Sequence, residues 1–553
     1  MEYNNSSGEK KIIITENTDL NNVQMLRAAV EAIDNDNKPP MHRTVQEEPV
    51  LKMLLDKINI PDFKNIASKG AVTLLRQKID QTRDQTEKER LGKEIEKFEP
   101  DEDSKLVILM ENLLKVADEN DTGLVMNNSM PYFYNGTHWK SLEVELLLGF
   151  LENVAEKSGI QWLRARQPKF KDKLLKQFNS TAAFKEPRIK NDDIKINLLN
   201  GTYYFNNNGG ELGELRNAKK EDFLKYIVPF NYLPGAQAPL FIKYLNQVLP
   251  DVDAQKVLLE FIAYIFTFGM KLEKTLFLYG SGANGKSVFF EIITALLGEE
   301  NVSHFSMDRL LDSTGYFRAK IENKLLNYSS ELDSIKDPQL FKKLTSGEPV
   351  DARLPYGQPF IITNYGKFIF NTNELPPAEQ TEAYHRRGIF IPFEQTIPVA
   401  ERDIKLAKKI IESELSGIFN IVLEALERLV KQGGLTQSAL IDNQLLTYRR
   451  ESNTVEQFLE NEEWRPSIEN KVSVKDFYPQ YFQYCKSMGH SPVNSQKFTA
   501  RLRNLNYRVE RSTKGYYYVW CEKKSDSGYI QTTIIDDDFL DALIFKSPTN
   551  SRS

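Results

Sequence analysis

The chain has 553 residues, a net charge of −5, 27% charged residues and 41% hydrophobic ones, the balance of a globular protein with room for about three or four domains. That charge excludes a uniformly basic nucleic-acid coat, so any polynucleotide contact has to come from local basic patches. The two cysteines, Cys485 and Cys521, offer no zinc pattern and fit a reducing cytoplasm, and no apolar run reaches membrane-spanning length.

Residues 1–102 read as a variable, partly helical region. It opens on a polar tail that is not a signal peptide. Pro39-Pro40 mark a break, and the charged stretch Ala71 to Lys97 suits one or two exposed helices. Residues 103–250 read as a mixed α+β accessory domain. Aromatic residues flank Asn135-Gly136, and Ile196 to Phe205 carries Asn200-Gly201; both are hairpin signals. Helices are predicted over Leu142 to Glu156, Pro239 to Leu249 and Val252 to Phe268. Residues 251–435 read as an α/β core with a helical extension that stops at Gly433-Gly434. A helical linker follows over 436–472, then a compact module over 473–524 and an acidic tail over 525–553.

The core carries its chemistry in Leu276 to Ser287, an apolar run that breaks into Gly280-Ser281-Gly282-Ala283-Asn284-Gly285-Lys286-Ser287. Gly280 and Gly285 frame four residues, and Lys286-Ser287 follow. Glycines permit the positive-φ turns that aim successive backbone N–H groups at one anion. A helix opening at once adds its partial positive charge. Lys286 is predicted to reach the β- and γ-phosphates of ATP, and the Ser287 hydroxyl to hold Mg²⁺.

Three further stretches follow in chain order. Lys324 to Asp333 reads as a strand ending in carboxylates. Glu331, or second Asp333, is the acid expected to organise Mg²⁺ or polarise the attacking water from the end of a strand neighbouring the phosphate loop. Lys367 to Pro377 is another short strand, ending in amides. Asn373, and less so Asn371, suits a sensor of the γ-phosphate, although Asn is also an ordinary turn residue. His385 to Phe393 sets Arg386 and Arg387 before a third apolar strand. Either arginine suits a finger supplied to a neighbouring subunit's phosphates; a structural ion pair or a DNA contact is the alternative.

These four elements resemble the superfamily-three helicases, in the branch of the poxvirus primase-helicase and of the C-terminal region of satellite-phage and plasmid primases. The likeness runs from about Asp118 to Phe393 and loosely to Trp520. It implies an AAA+-like P-loop ATPase core, a ring, usually a hexamer, that moves on one DNA strand 3′ to 5′, and ATP and Mg²⁺ as its cofactors. The family's metal site has two adjacent acids, where this chain has Ser330-Glu331. It also implies that the interval before Asn373 carries a pore hairpin, with Lys342, Lys343, Arg353 and Tyr356 as candidate DNA contacts, salt-dependent and blind to sequence.

Near the C-terminus a helix with Lys497, Arg501 and Arg503 on its polar side precedes a basic hairpin with Arg508, Arg511 and Lys514. That order is winged-helix-like, for DNA or for a protein partner. The fold expected is therefore α/β: an AAA+-like core with an α+β accessory region and a winged-helix-like domain. The function expected is a replicative DNA helicase of a phage, plasmid or integrated element in a bacterial cytoplasm. Its partners would be single-stranded or forked DNA, copies of itself, and a primase or other replication protein, but no membrane. The alternatives are an ATP-switched origin or loader scaffold without processive unwinding, and a primase-helicase. For the last, Asp34-Asn35-Asp36 is the one acid pair near the N-terminus, and its context is a polar turn.

Overall fold

The computed structural model describes residues 44–127, 130–184, 193–206, 211–330, 335, 337–355, 357–373, 385–513 and 515–524. They fall into two compact units, one of 44–184 with 217–226 and the other of 193–216 with 227–524. Residues 103–250 are therefore not one body, since the second predicted hairpin belongs to the unit that holds the phosphate loop.

The first unit is mostly helical. Asp101 caps the helix Glu102–Glu119 by accepting from the Ser104 N–H, with Glu102 and Asp103 complementing its first turn. Leu51, Leu54 and Ile58 share one core with Leu106, Leu109, Leu113, Phe150, Phe170 and Phe178. The boundary expected at residue 102 thus separates nothing, because apolar positions on both sides fill the same space. The charged stretch forms two helices, Ala71–Gln81 and Gln85–Glu96. Arg164 and Lys173 both donate to Glu102, at 2.7–3.0 Å, and hold its carboxyl down at about 2. Strands β1 (Gly123–Asn127), β2 (Met130–Tyr134) and β3 (Trp139–Ser141) make an antiparallel sheet. In its turn the Asn135 side-chain oxygen accepts from the N–H groups of Thr137 and His138, at 3.0 Å each.

The second unit begins with the antiparallel sheet β4 (Asp193–Leu198), β5 (Gly201–Asn206) and β6 (Glu211–Arg216). Its first turn is one residue off the expectation: Leu198 pairs with Gly201, so Leu199 and Asn200 make the loop. Its core is a five-stranded parallel sheet of β7 (Thr275–Tyr279), β8 (Val302–Ser303), β9 (Leu326–Ser329), β12 (Lys367–Thr372) and β13 (Gly388–Pro392), in the order β13-β7-β12-β9-β8. These strands are buried almost throughout, which is why they read as continuous apolar runs rather than alternating ones. Between β9 and β12 the hairpin β10 (Val350–Arg353) and β11 (Pro359–Ile362) forms a separate two-stranded sheet, with Val350, Ala352 and Ile362 buried in the core.

The helix Leu406–Gln432 braces this unit. Buried Glu414 accepts from the N–H groups of Leu240 and Phe241, at 2.9 Å each, and so caps the helix Pro239–Val248 with a carboxylate. A side chain at Gly417 would meet the Gln237 carbonyl at 2.2 Å. The helix ends at Gly433, φ 67°, as expected.

The predicted linker over 436–472 is no linker. Tyr448, on the helix Ala439–Glu451, is buried against Phe390 of β13, ring centroids 4.6 Å apart. The helix Thr454–Asn461 and strand β14 (Trp464–Ser473) belong instead to the C-terminal module. That module continues with the helices Val474–Ser487 and Ser495–Asn504 and strands β15 (Val509–Arg511) and β16 (Tyr517–Lys523), the antiparallel sheet running β14-β16-β15. Its core packs Phe458, Phe477, Tyr481, Phe498 and Leu502 together with both cysteines, which are buried and unbridged. Among the described residues no helix is long and apolar enough to cross a membrane, and no cluster of potential metal ligands forms.

Candidate active site

The phosphate loop follows the C-terminal end of β7. Gly280, Gly282, Ala283 and Gly285 all have positive φ, at 155°, 101°, 52° and 89°. These turns wrap the backbone around the start of the helix Lys286–Leu297 and leave its first N–H groups without intrahelical partners. Two glycines are demanded by space as well as by φ. A Cβ at Gly280 would lie 2.2 Å from the Phe393 carbonyl, and one at Gly285 would lie 2.6 Å from Val248. At Gly282 a Cβ would meet nothing within 4 Å, so the loop is open on that side.

Lys286 is buried, and burial lowers its pKa. Its ammonium donates to the Gly280 carbonyl at 2.6 Å and to the Asn284 side-chain oxygen at 3.2 Å. The cation is thus folded over its own loop. Asn284 is itself buried and donates to the Phe393 carbonyl at 2.6 Å, so its side chain braces the loop rather than reaching outward. Tyr244 donates to the Gly285 carbonyl at 2.8 Å, and the Ile397 N–H to the Ala283 carbonyl at 3.0 Å. These two props come from remote segments, and nothing local in the sequence announces them. Ser281 and Ser287 are exposed, Ser287 at the second position of the helix.

The donor set suits a triphosphate: a cradle of backbone N–H groups, a helix start and a buried ammonium. For a divalent cation, Ser287 is the one candidate ligand in view; Glu331 and Asp333 lie outside the described residues. The strand that leads to them, β9, is not the neighbour of β7, because β12 lies between the two. The reading that an acid follows the adjacent strand is corrected accordingly: what directly flanks the phosphate loop is β12 and its asparagines. Asn371 accepts from the Tyr328 hydroxyl at 3.0 Å inside the core, which uses it structurally. Asn373 is exposed just past the C-terminal end of β12, the end from which the loop springs.

The two arginines sit at the other end of the sheet. Gly388 pairs with Thr275, so Arg386 and Arg387 precede the first residue of β7, while the phosphate loop follows its last. Five extended residues separate the two places, roughly 16 Å. Arg387 is buried, with Nη2 donating to Glu273 at 2.9 Å and to the Ser346 hydroxyl at 2.9 Å. It is a structural ion pair, the alternative left open from sequence. Arg386 also donates to Glu273, at 3.1 Å, but is 59% exposed.

The candidate DNA contacts divide as well. Lys343 and Arg353 are exposed and Lys342 is half-buried; Arg353 closes its own hairpin by donating to the Gly357 carbonyl at 2.9 Å. Tyr356 and Lys514 lie outside the described residues, as do Asp34, Asn35 and Asp36. Buried Arg318, missed from sequence, holds the base of this hairpin: it donates to the Asp351 carbonyl and carboxylate, both at 2.7 Å. In the C-terminal module Lys497 and Arg503 are exposed, but Arg501 is half-buried. It packs toward Tyr481 and Cys485, where burial lowers its pKa. Arg508 pairs with Glu510 and lies 5.0 Å from the Trp520 ring centre. Arg503 and Arg511 flank exposed Tyr517, at 5.8 Å each.

Three family models match separate stretches: one described as D5 N terminal like over residues 115–250, a family of unknown function (DUF5906) over 278–387, and one described as Poxvirus D5 protein-like over 450–543. The phosphate loop lies inside the second of these matches, between the two D5 ones. Two of the three models are thus of the D5 type, one on each side of the core. A curated relative, the putative helicase L207/L206 of Acanthamoeba polyphaga mimivirus, is 23% identical over 373 residues, which is 58% of this chain. The chain spans only 38% of that relative's length. Among solved structures, the apo A form of the NrS-1 C-terminal region is similar at 14% identity and a TM-score of 0.42, over 75% of this chain and 100% of that one. A second apo A form gives 12% identity and a TM-score of 0.40, over 74% of this chain and 98% of the other.

Proposed function

We propose that this D5-like chain is an ATP-dependent DNA helicase, replicative and carried by a phage, plasmid or integrated element, that closes into a ring and draws single-stranded DNA through it. One observation carries the reading: a phosphate cradle follows one end of β7, and an exposed arginine, on the segment entering β13, lies level with the other end. A guanidinium roughly 16 Å away cannot serve the cradle of its own chain, but a second copy can supply it. Charge on the transferring phosphoryl group would then be neutralised by Lys286 from one subunit and Arg386 from the next. Bound Mg²⁺, with Ser287 as a ligand, would neutralise further phosphate charge. Asn373 would orient the attacking water or hold the γ-phosphate, and Glu331 would take its proton.

The parallel sheet with its loop after β7 supports an AAA+-like P-loop core. The helix–strand–helix–helix–strand–strand order over 454–523 supports a winged helix. The test is displacement of a labelled strand from a forked duplex, with ATP and Mg²⁺. ATP turnover is expected to rise with single-stranded DNA and displacement to follow. Turnover without displacement on any fork would favour the ATP-switched loader scaffold. Template-directed nucleotide incorporation would be needed to favour a primase-helicase.

The C-terminal module yields a narrower expectation. Replacing Arg503 and Arg511 together by Ala should weaken DNA binding uniformly across sequences. It should also flatten the dependence of log affinity on log salt by about 1.4–1.8, about 0.7–0.9 per lost phosphate contact. Titrations at several salt concentrations with an unaltered slope would assign the module to a protein partner.

A further inference from the structure

Three consecutive residues fix the arginine pair. Glu273 accepts from Arg386 at 3.1 Å and from Arg387 at 2.9 Å through the same carboxylate oxygen. The Lys274 ammonium donates to the Arg386 carbonyl at 2.5 Å, and the Thr275 N–H to the Arg387 carbonyl at 2.8 Å. Glu273 does this from a left-handed backbone, φ 54°, which a non-glycine residue adopts only when its surroundings over-determine it. Burial, and then the neighbouring Arg386, lower the pKa of Lys274, against the opposing pull of Asp442. The two guanidiniums differ sharply, since Arg387 is 8% exposed and Arg386 is 59% exposed.

We propose that Glu273 is the positioning residue of the arginine edge, with Arg387 as its buried strut and Arg386 as the group it aims at a second copy's triphosphate. The inference rests on the reading that the site is completed in trans. An exposed arginine samples many rotamers, and each one it gives up before docking is entropy not lost in the reaction complex. A carboxylate shared with a buried, immobile guanidinium limits that sampling at the root of the fork. Glu273 lies two residues before β7 and the phosphate loop begins directly after it, so the residues that aim the arginine and those that cradle phosphate flank the two ends of one buried strand.

The experiment uses mixed assemblies of full-length chains. A Lys286→Ala chain keeps its arginine edge, and an Arg386→Ala chain keeps its cradle, so mixing them should restore ATP turnover. A Lys286→Ala/Glu273→Gln chain mixed with Arg386→Ala should restore at least fivefold less. Glu273→Gln alone should lower kcat roughly 10- to 100-fold with KM for ATP changed less than threefold, the split expected when an interaction made only in the transition state is lost. Equal restoration by both donors would overturn the role of Glu273 and leave the trans reading standing. No restoration by either donor, with wild type active and assembly confirmed, would overturn the trans reading and this inference with it. Should Glu273→Gln fail to fold, Lys274→Met loosens Arg386 alone; a donor defect of at least twofold is expected, and a donor equal to wild type overturns the proposal.

Discussion

Lys286→Ala is expected to lower ATP turnover at least 100- to 1,000-fold while the chain stays folded. The ammonium is buried at the start of a helix whose first N–H groups have no intrahelical partner. A charge in such a site acts through a low effective dielectric, and it counts most where negative charge builds up in the transition state. Losing one such donor costs about 3–4 kcal/mol of transition-state stabilisation, which corresponds to the fold-change given. Nucleotide binding should weaken less, since the N–H cradle and the helix start remain. Some stability should be lost as well, about 1–3 kcal/mol, because the two acceptors of Lys286, the Gly280 carbonyl and the Asn284 side-chain oxygen, are buried and lose this donor. The measurement is steady-state hydrolysis beside equilibrium binding of a fluorescent ATP analogue. Turnover within tenfold of wild type would sink the assignment of this loop as the catalytic cradle.

Legibility from sequence follows how local each cause is. The cradle from Gly280 to Ser287 was readable because its glycines, lysine and following helix are contiguous, and their φ values and close approaches are properties of that segment. The strands 275–279, 367–372 and 388–392 were readable as apolar runs for the same reason. Strand order was not: placing β12 between β7 and β9 depends on how crossovers pack, and nothing in Lys324 to Asp333 encodes its distance from β7. Nor could residue type separate Arg386 from Arg387. Only the fold shows that one lies under Ser346 and the other faces solvent. Arg501 failed similarly, because a helix face assigned by wheel alone ignores that Tyr481 and Cys485 crowd its position. The domain boundaries missed because Leu51 and Leu109, or Phe458 and Phe498, pack together across long stretches of chain.

Arg318 shows the same non-locality and carries the second large expected effect. Its side chain is 1% exposed and its guanidinium donates four times: to the carbonyls of Leu310 at 3.0 Å, Asp312 at 2.5 Å and Asp351 at 2.7 Å, and to the Asp351 carboxylate at 2.7 Å. Three of these acceptors are main-chain, so the arginine is the rivet between the turn at 310–315 and the first strand of the β10–β11 hairpin. The fit is close: a side chain at Gly315 would come within 3.1 Å of Nη2. Arg318→Met keeps most of the volume but leaves several buried acceptors unmatched, at about 1–3 kcal/mol each before relaxation, and a total near 3–5 kcal/mol is expected. The exposed Asp351 carboxylate contributes least to that sum, since water replaces its partner. Arg318→Lys should fall between, as three donors on one nitrogen cannot fork to four acceptors. Amide hydrogen exchange over 350–362 reads the effect locally, which matters in a chain of several units that need not unfold in one step. Because the hairpin carries Arg353, a candidate DNA contact, stimulation of turnover by single-stranded DNA should drop more than basal turnover. Unchanged exchange in the hairpin, with a folded variant, would show that Arg318 does not hold it.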